Sequence, residues 1–121
     1  MTGKTILIVD DEPEFIEMIQ MRLEANGYTV ISAPDGQAGF EMAQSSKPGL
    51  ILLDVMMPGQ DGFETLRKLR GTPATRGVPV VMMTARSESR AILKAQNLGA
   101  TDYLIKPCES GALLEVVRKH T

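Results

Sequence analysis

Three observations predict an α/β fold built on a doubly wound, five-stranded parallel sheet with alternating helices. Short apolar runs alternate with stretches of helical apolar spacing, strand then helix, five times along 121 residues. The runs are unbroken, as in Leu50–Leu53, which suits strands covered on both faces. Each of four runs ends abruptly in polar residues: Asp10-Asp11, Asp54, Thr84 and Lys106. Strict alternation with right-handed crossovers brings all those ends to one edge of the sheet.

Thr5–Val9 is the first strand, and Pro13 fits the first turn of the helix after it. Phe15, Met18, Ile19 and Leu23 fall at helical spacing, and Asn26-Gly27 stops the helix. Tyr28–Ala33 is β-branched enough for a second strand. Asp35-Gly36 opens a helix through about Ser46, inside which Gly39 suggests a close packing contact. Lys47-Pro48-Gly49 leads into Leu50–Asp54, and Pro58-Gly59 marks a turn. Asp61 and Glu64 make a capping-box-like start for a helix with Phe63, Leu66 and Leu69 inward. Val78–Met83 is the fourth strand, with Pro79 near its start and Thr84 at its end. Ser87 caps a helix burying Ala91, Ile92, Ala95 and Leu98, which stops at Gly99. Tyr103–Ile105 is a short fifth strand, and the last helix carries Leu113, Val116 and Val117 before a basic turn, Arg118-Lys119.

In open α/β sheets, ligands bind outside the carboxyl ends of the strands. Three carboxylates (Asp10, Asp11, Asp54), the Thr84 hydroxyl and the Lys106 ammonium would converge there. Singly, each has a structural role open to it: a helix cap for Asp10, Asp11 or Thr84, an ion pair for Lys106. Together, at matched strand ends, they point to chemistry. Clustered carboxylates repel one another and recruit a cation, and Mg²⁺ suits oxygen ligands shared with phosphate. A carboxylate beside a metal, a lysine and a hydroxyl fits phosphoryl transfer with Asp54 as the nucleophile.

The composition, 43% hydrophobic and 23% charged, is that of an ordinary globular domain spanning 1–121. A net charge of −2 gives no electrostatic case for nucleic acid or a membrane surface. No apolar run approaches membrane length, and the expected setting is cytoplasmic. The single cysteine, Cys108, reads as a small buried residue, and His120, the only histidine, as a helix end.

ILIVDDEP at Ile6–Pro13, LILLDVMMPGQDGFE at Leu50–Glu64, VVMMTA at Val80–Ala85 and LGATDYLIKP at Leu98–Pro107 occur in that order. With these four motifs the chain resembles the receiver domain of bacterial two-component response regulators, from Ile6 to about Lys119. The resemblance implies a flavodoxin-like (βα)5 fold and a phosphorylation-dependent signalling switch, not an enzyme acting on a separate substrate. It implies that Asp54 accepts phosphate from a histidine kinase, with Asp11 on Mg²⁺ directly and Asp10 largely through water. The carbonyl of Met56 would complete the protein's share of the metal shell. Lys106 would contact the phosphoryl group, Thr84 would hydrogen-bond it, and Tyr103 would be the aromatic that switches rotamer with Thr84. Lys106-Pro107 resembles the family's cis peptide. The implied partners are the kinase and a downstream effector protein or output domain, with the receiver a monomer or a homodimer promoted by phosphorylation. Gly49 and Cys108 depart from the family's usual acidic and bulky apolar residues.

Three other readings share this kind of sheet. A flavin-binding electron carrier needs a phosphate-cradling loop after the first strand, where Asp10-Asp11-Glu12 would repel phosphate. An aspartate-nucleophile phosphohydrolase would place its two acids on one loop. A receiver-like docking module that takes no phosphate would not need all five chemical residues.

Overall fold

The computed structural model describes residues 4–57, 60–85, 89–106 and 110–121. Five strands, β1 (Thr5–Val9), β2 (Thr29–Ala33), β3 (Leu50–Asp54), β4 (Val80–Ala85) and β5 (Asp102–Lys106), form one parallel sheet in the order β2-β1-β3-β4-β5. The helices between and after them are α1 (Pro13–Glu24), α2 (Gly36–Ser46), α3 (Gly62–Gly71), α4 (Ser89–Asn97) and α5 (Ser110–His120). This is the doubly wound α/β arrangement that the alternation predicts.

Period-two side chains divide the core into two layers. Ile6, Ile8, Leu50, Leu52, Val81 and Met83 face α1 and α5, where they meet Ile19, Leu23, Leu113 and Val117. Leu7, Val9, Ile51, Leu53, Val80 and Met82 face the other way, toward Ala43 of α2, Leu66 and Leu69 of α3, and Ala95 of α4. Every residue of β3 is buried, as its unbroken apolar run requires. The chain winds to one side through β2 and to the other through β3, so the order reverses between β1 and β3. Ligand sites of such sheets lie at that reversal.

Local chemistry explains the helix starts. Asp35 caps α2, its Oδ1 accepting from the Ala38 N–H at 2.8 Å. Gly39 is the close contact that its place in a helix suggests: a Cβ there would lie 2.6 and 2.9 Å from the two methyls of Val9. Gly27 and Gly99 take φ of 90° and 94°, the left-handed region that ends helices.

Some boundaries differ from expectation. β2 starts at Thr29, one residue late, and β4 runs Val80–Ala85 instead of Val78–Met83. Pro79 has no N–H for the ladder, so Val80 is where pairing with Ile51 begins. β5 extends one residue at each end, to Asp102 and Lys106. A two-residue antiparallel pairing of Met56–Met57 with Gln60–Asp61, absent from the sequence reading, follows β3. In α4, Ala95 is buried while Ile92 is half-buried, as is Leu98 just past the helix end, and in α5 Val116 is half-buried. The Pro58-Gly59 turn, the Ser87 cap, the Lys106-Pro107 peptide and Cys108 lie outside the described residues, as does the side chain of Ala91. Among the described residues, no helix is long and apolar enough to cross a membrane.

Candidate functional site at the carboxyl edge of the sheet

Asp10 follows β1 and is fully buried. Its N–H donates to the Ala33 carbonyl at 3.1 Å, which extends the β1–β2 ladder by one residue. Its Oδ1 accepts from the Glu12 N–H at 2.9 Å, so Asp10 steadies the chain as it enters α1. Asp54 is the last residue of β3 and is 5% exposed. α3 begins directly against it: the Gly62 N–H donates to the Val55 carbonyl at 2.9 Å, and a Cβ on Gly62 would run into the Asp54 carbonyl. Only glycine lets that helix start so close to the Asp54 backbone.

Lys106 ends β5 and reaches back across the edge. Its Nζ lies 2.8 Å from Asp10 Oδ2, 3.1 Å from Glu12 Oε1 and 3.4 Å from Asp54 Oδ2. It also sits 4.3 Å from the centroid of the Phe15 ring, over its face. Burial pushes the ammonium down, but the Asp10 hydrogen bond, the charges of Asp54 and Asp10, and the Glu12 contact outweigh it. The group ends raised from 10.5 to about 12 and is a firm cation at neutral pH. Carboxylate oxygens of Asp10, Glu12 and Asp54 lie within 4.8 Å of one another. Among the described residues, three acids share this one ammonium.

Asp10, Asp54 and Lys106 are thus brought together as the sequence reading expects. Thr84 is buried on β4, one residue beyond Met83, the register partner of Asp54. Asp11 is exposed, and its carboxylate is not in the close group; it lines a groove of about 330 Å³ with Ile16, Glu17 and Gln20 of α1 and Ser32 of β2. Met56 opens the short pairing just after β3. Tyr103 lies on β5, three residues before Lys106, and is 38% exposed.

Two neighbours of Lys106 were not anticipated. Glu12 occupies the place in the acid group where Asp11 was expected. Its signal was present in the run Asp10-Asp11-Glu12, but which of three successive acids reaches Lys106, as the exposed Glu12 does, depends on how the chain enters α1. Phe15 reads as a core residue by spacing, and nothing local announces an ammonium over its ring.

The site and fold together define a class. The family described as Response regulator receiver domain matches residues 6–118, and the chain belongs to it. It is 43% identical over 107 residues to the phosphate regulon transcriptional regulatory protein PhoB of Pseudomonas aeruginosa, covering 88% of this chain and 47% of PhoB. It therefore spans about half the length of that relative. Protein PilH of the same organism is 35% identical over 112 residues, covering 93% of each chain. The structure of the chemotaxis protein CheY4 of Vibrio cholerae superposes with a TM-score of 0.93 at 28% identity, over 99% of this chain and 100% of that one. Family membership sets aside the flavin carrier and the phosphohydrolase.

Proposed function

We propose that this domain, over residues 1–121, is a phosphorylation-dependent switch whose phosphoacceptor is Asp54. The observation that carries the reading is one buried acid at a strand end, 3.4 Å from a lysine held as a cation. A carboxylate oxygen of Asp54 attacks the phosphorus of a kinase phosphohistidine. The P–N bond breaks, its electron pair stays on the imidazole nitrogen, and an acyl phosphate forms. Lys106 needs little movement to pair with the incoming phosphoryl oxygens. The buried Thr84 hydroxyl, on the adjoining strand, is the donor that follows them.

The donor set fits Mg²⁺: hard carboxylate oxygens, gathered within 4.8 Å of one another. Asp10, Asp11 and Asp54 with the Met56 carbonyl would hold it, and Glu12 stands within the same group. Mg²⁺ supplies neutralisation of the charge on the phosphoryl oxygens. Tyr103 completes the switch, its exposure answering the position of Thr84 on the neighbouring strand. The partners in this reading are a histidine kinase and an effector protein or output domain, in the cytoplasm, with the receiver monomeric or dimerising on phosphorylation.

The test is intact mass after incubation with acetyl phosphate and Mg²⁺. One phosphoryl group should be gained by the protein and none by Asp54→Asn. A variant that still gains mass would mean that another residue accepts phosphate. A wild-type protein that gains none would leave the docking module as the better reading.

A further inference from the structure

Phe15, Ile19 and Leu23 form one line along α1, four residues apart, and by spacing all three belong to the core. Ile19 and Leu23 are fully buried. Phe15 is only half-buried: it packs against the core layer beneath α1 at the end of the helix nearest the site, and its ring face lies under the Lys106 ammonium. Lysine is a flexible stem carrying a point charge, with rotamer entropy to lose wherever it is fixed. The three carboxylates alone would let that charge wander among them, at 2.8, 3.1 and 3.4 Å. A ring face attracts the same cation through its quadrupole, without a charge that changes when Asp54 does. Phosphorylation of Asp54 would replace one of the lysine's carboxylate contacts with phosphoryl oxygens and leave the ring contact intact.

We propose that Phe15 is a positioning residue for Lys106, holding the ammonium at the mouth of the Asp54 pocket for the incoming phosphoryl oxygens. This rests on the phosphoacceptor reading above. Aliphatic side chains of similar size fill the same volume but lack the quadrupole, so packing and positioning can be separated.

The experiment uses the whole chain and two readouts. In the unphosphorylated wild type, ring current should move the Lys106 ε-methylene protons upfield of those of Lys4, Lys47 and Lys119, while Lys68 and Lys94 lie over rings of their own, Phe40 and Phe63. In Phe15→Leu, and in Phe15→Met should leucine not fold, that shift should vanish and phosphate uptake from acetyl phosphate with Mg²⁺ should slow about fivefold. Phe15→Trp should keep an upfield shift and recover most of the rate, which a purely packing role would not produce. An ordinary Lys106 shift in the wild type, uptake by the aliphatic variants as fast as wild type, or a tryptophan variant as slow as leucine would each overturn the proposal. Failure of the wild type to take phosphate while the Lys106 shift is present would overturn the phosphoacceptor reading, and with it any role of Phe15 in the reaction, although the contact stands.

Discussion

The two edges of the sheet handle charge in opposite ways, and β5 carries one example of each. At its start, Asp102 meets His120 of α5, Oδ2 to Nε2 at 2.9 Å. Nearby, Arg70 of α3 donates to the carbonyls of Gly99 at 2.8 Å, Val78 at 2.7 Å and Arg76 at 3.1 Å, and to Thr101 Oγ1 at 3.3 Å. Thr101 Oγ1 in turn accepts from the Val80 N–H at 3.0 Å. The segments leading into β4 and β5 are thereby fastened to the end of α3, with each donor matched to an acceptor. At the other end of β5, Lys106 lies within 3.4 Å of three carboxylates. One edge is closed by matched groups; at the other, three acids gather around one ammonium among the described residues. Charge repulsion held in a fold is a reservoir that a bound cation can relieve, and such crowding of titratable groups in a pocket marks a candidate site.

The largest effect should come from the packing that sets Asp54 in place. Gly62→Ala puts a methyl group against the Asp54 carbonyl, with Val55 Cα 2.9 Å away, so backbone must give. Overpacking of this kind should cost about 3 kcal/mol, read as a lower urea midpoint, and should slow phosphate uptake as well. A variant as stable as the parent would show that α3 can retreat from β3 freely.

Next is the closed edge. Arg70→Ala removes a charged donor from three carbonyls and a hydroxyl, of which the Val78 carbonyl is the least open to water. The expected loss is about 2 kcal/mol with phosphate uptake unchanged. Arg70→Lys should recover little, since one ammonium cannot span acceptors that a planar fork reaches together. Loss of phosphate uptake in a folded Arg70→Ala protein would mean that the two edges are not separable.

How much of this was legible in the sequence differs by edge as well. Thr5–Val9 and the full run of Leu50–Asp54 are strands over the residues read from them, because an unbroken apolar run needs no information from elsewhere. β5 was read one residue short at each end because Asp102 and Lys106 are polar, and their place in the strand comes from pairing with Val81 and Ala85. Asp10, Asp54 and Lys106 were legible as a site because strand order follows from the alternation. The partners Glu12 and Phe15 were not: Lys106 is 94 residues from Glu12 in sequence, and only the packed sheet decides which α1 residues lie beneath it. Arg70 carried no signal at all, since its acceptors are backbone carbonyls, which every sequence has.

A smaller prediction sharpens the comparison by sign. Asp54→Asn removes one anion from the crowded edge at the expense of the longest of the three Lys106 contacts. It should raise the free energy of unfolding by about 1 kcal/mol in the absence of divalent cation, read as a higher urea midpoint. Asp102→Asn at the closed edge takes an acid from His120, with Lys119 also nearby, and should lower stability by about 0.5 kcal/mol. Equal signs for the two would erase the distinction drawn here.

The smallest effect per unit of pH is also the one that treats both ends of β5 in a single titration. Lys106 is raised to about 12 in the folded protein, above its ordinary 10.5, so the native state holds that proton more tightly than the unfolded chain. Its contribution to stability is complete below about pH 10.5 and is lost as pH rises through about 12. Asp102 moves the other way. Burial raises it, but the His120 hydrogen bond, the Tyr103 N–H and the charges of His120 and Lys119 outweigh that and bring it below its ordinary 3.8. Its contribution is present above that value and is lost as pH falls through the lower folded one. Urea midpoints of the parent, Lys106→Met and Asp102→Asn across the pH range separate the two, because differences between proteins cancel the titration of groups that touch neither residue. The gap between parent and Lys106→Met should be flat through neutrality and close only in strong alkali. The gap between parent and Asp102→Asn should close only in strong acid. A Lys106 gap that closes near neutral pH would mean that the ammonium is not held by Asp10 and Asp54, and the crowded edge would lose the cation on which its chemistry depends.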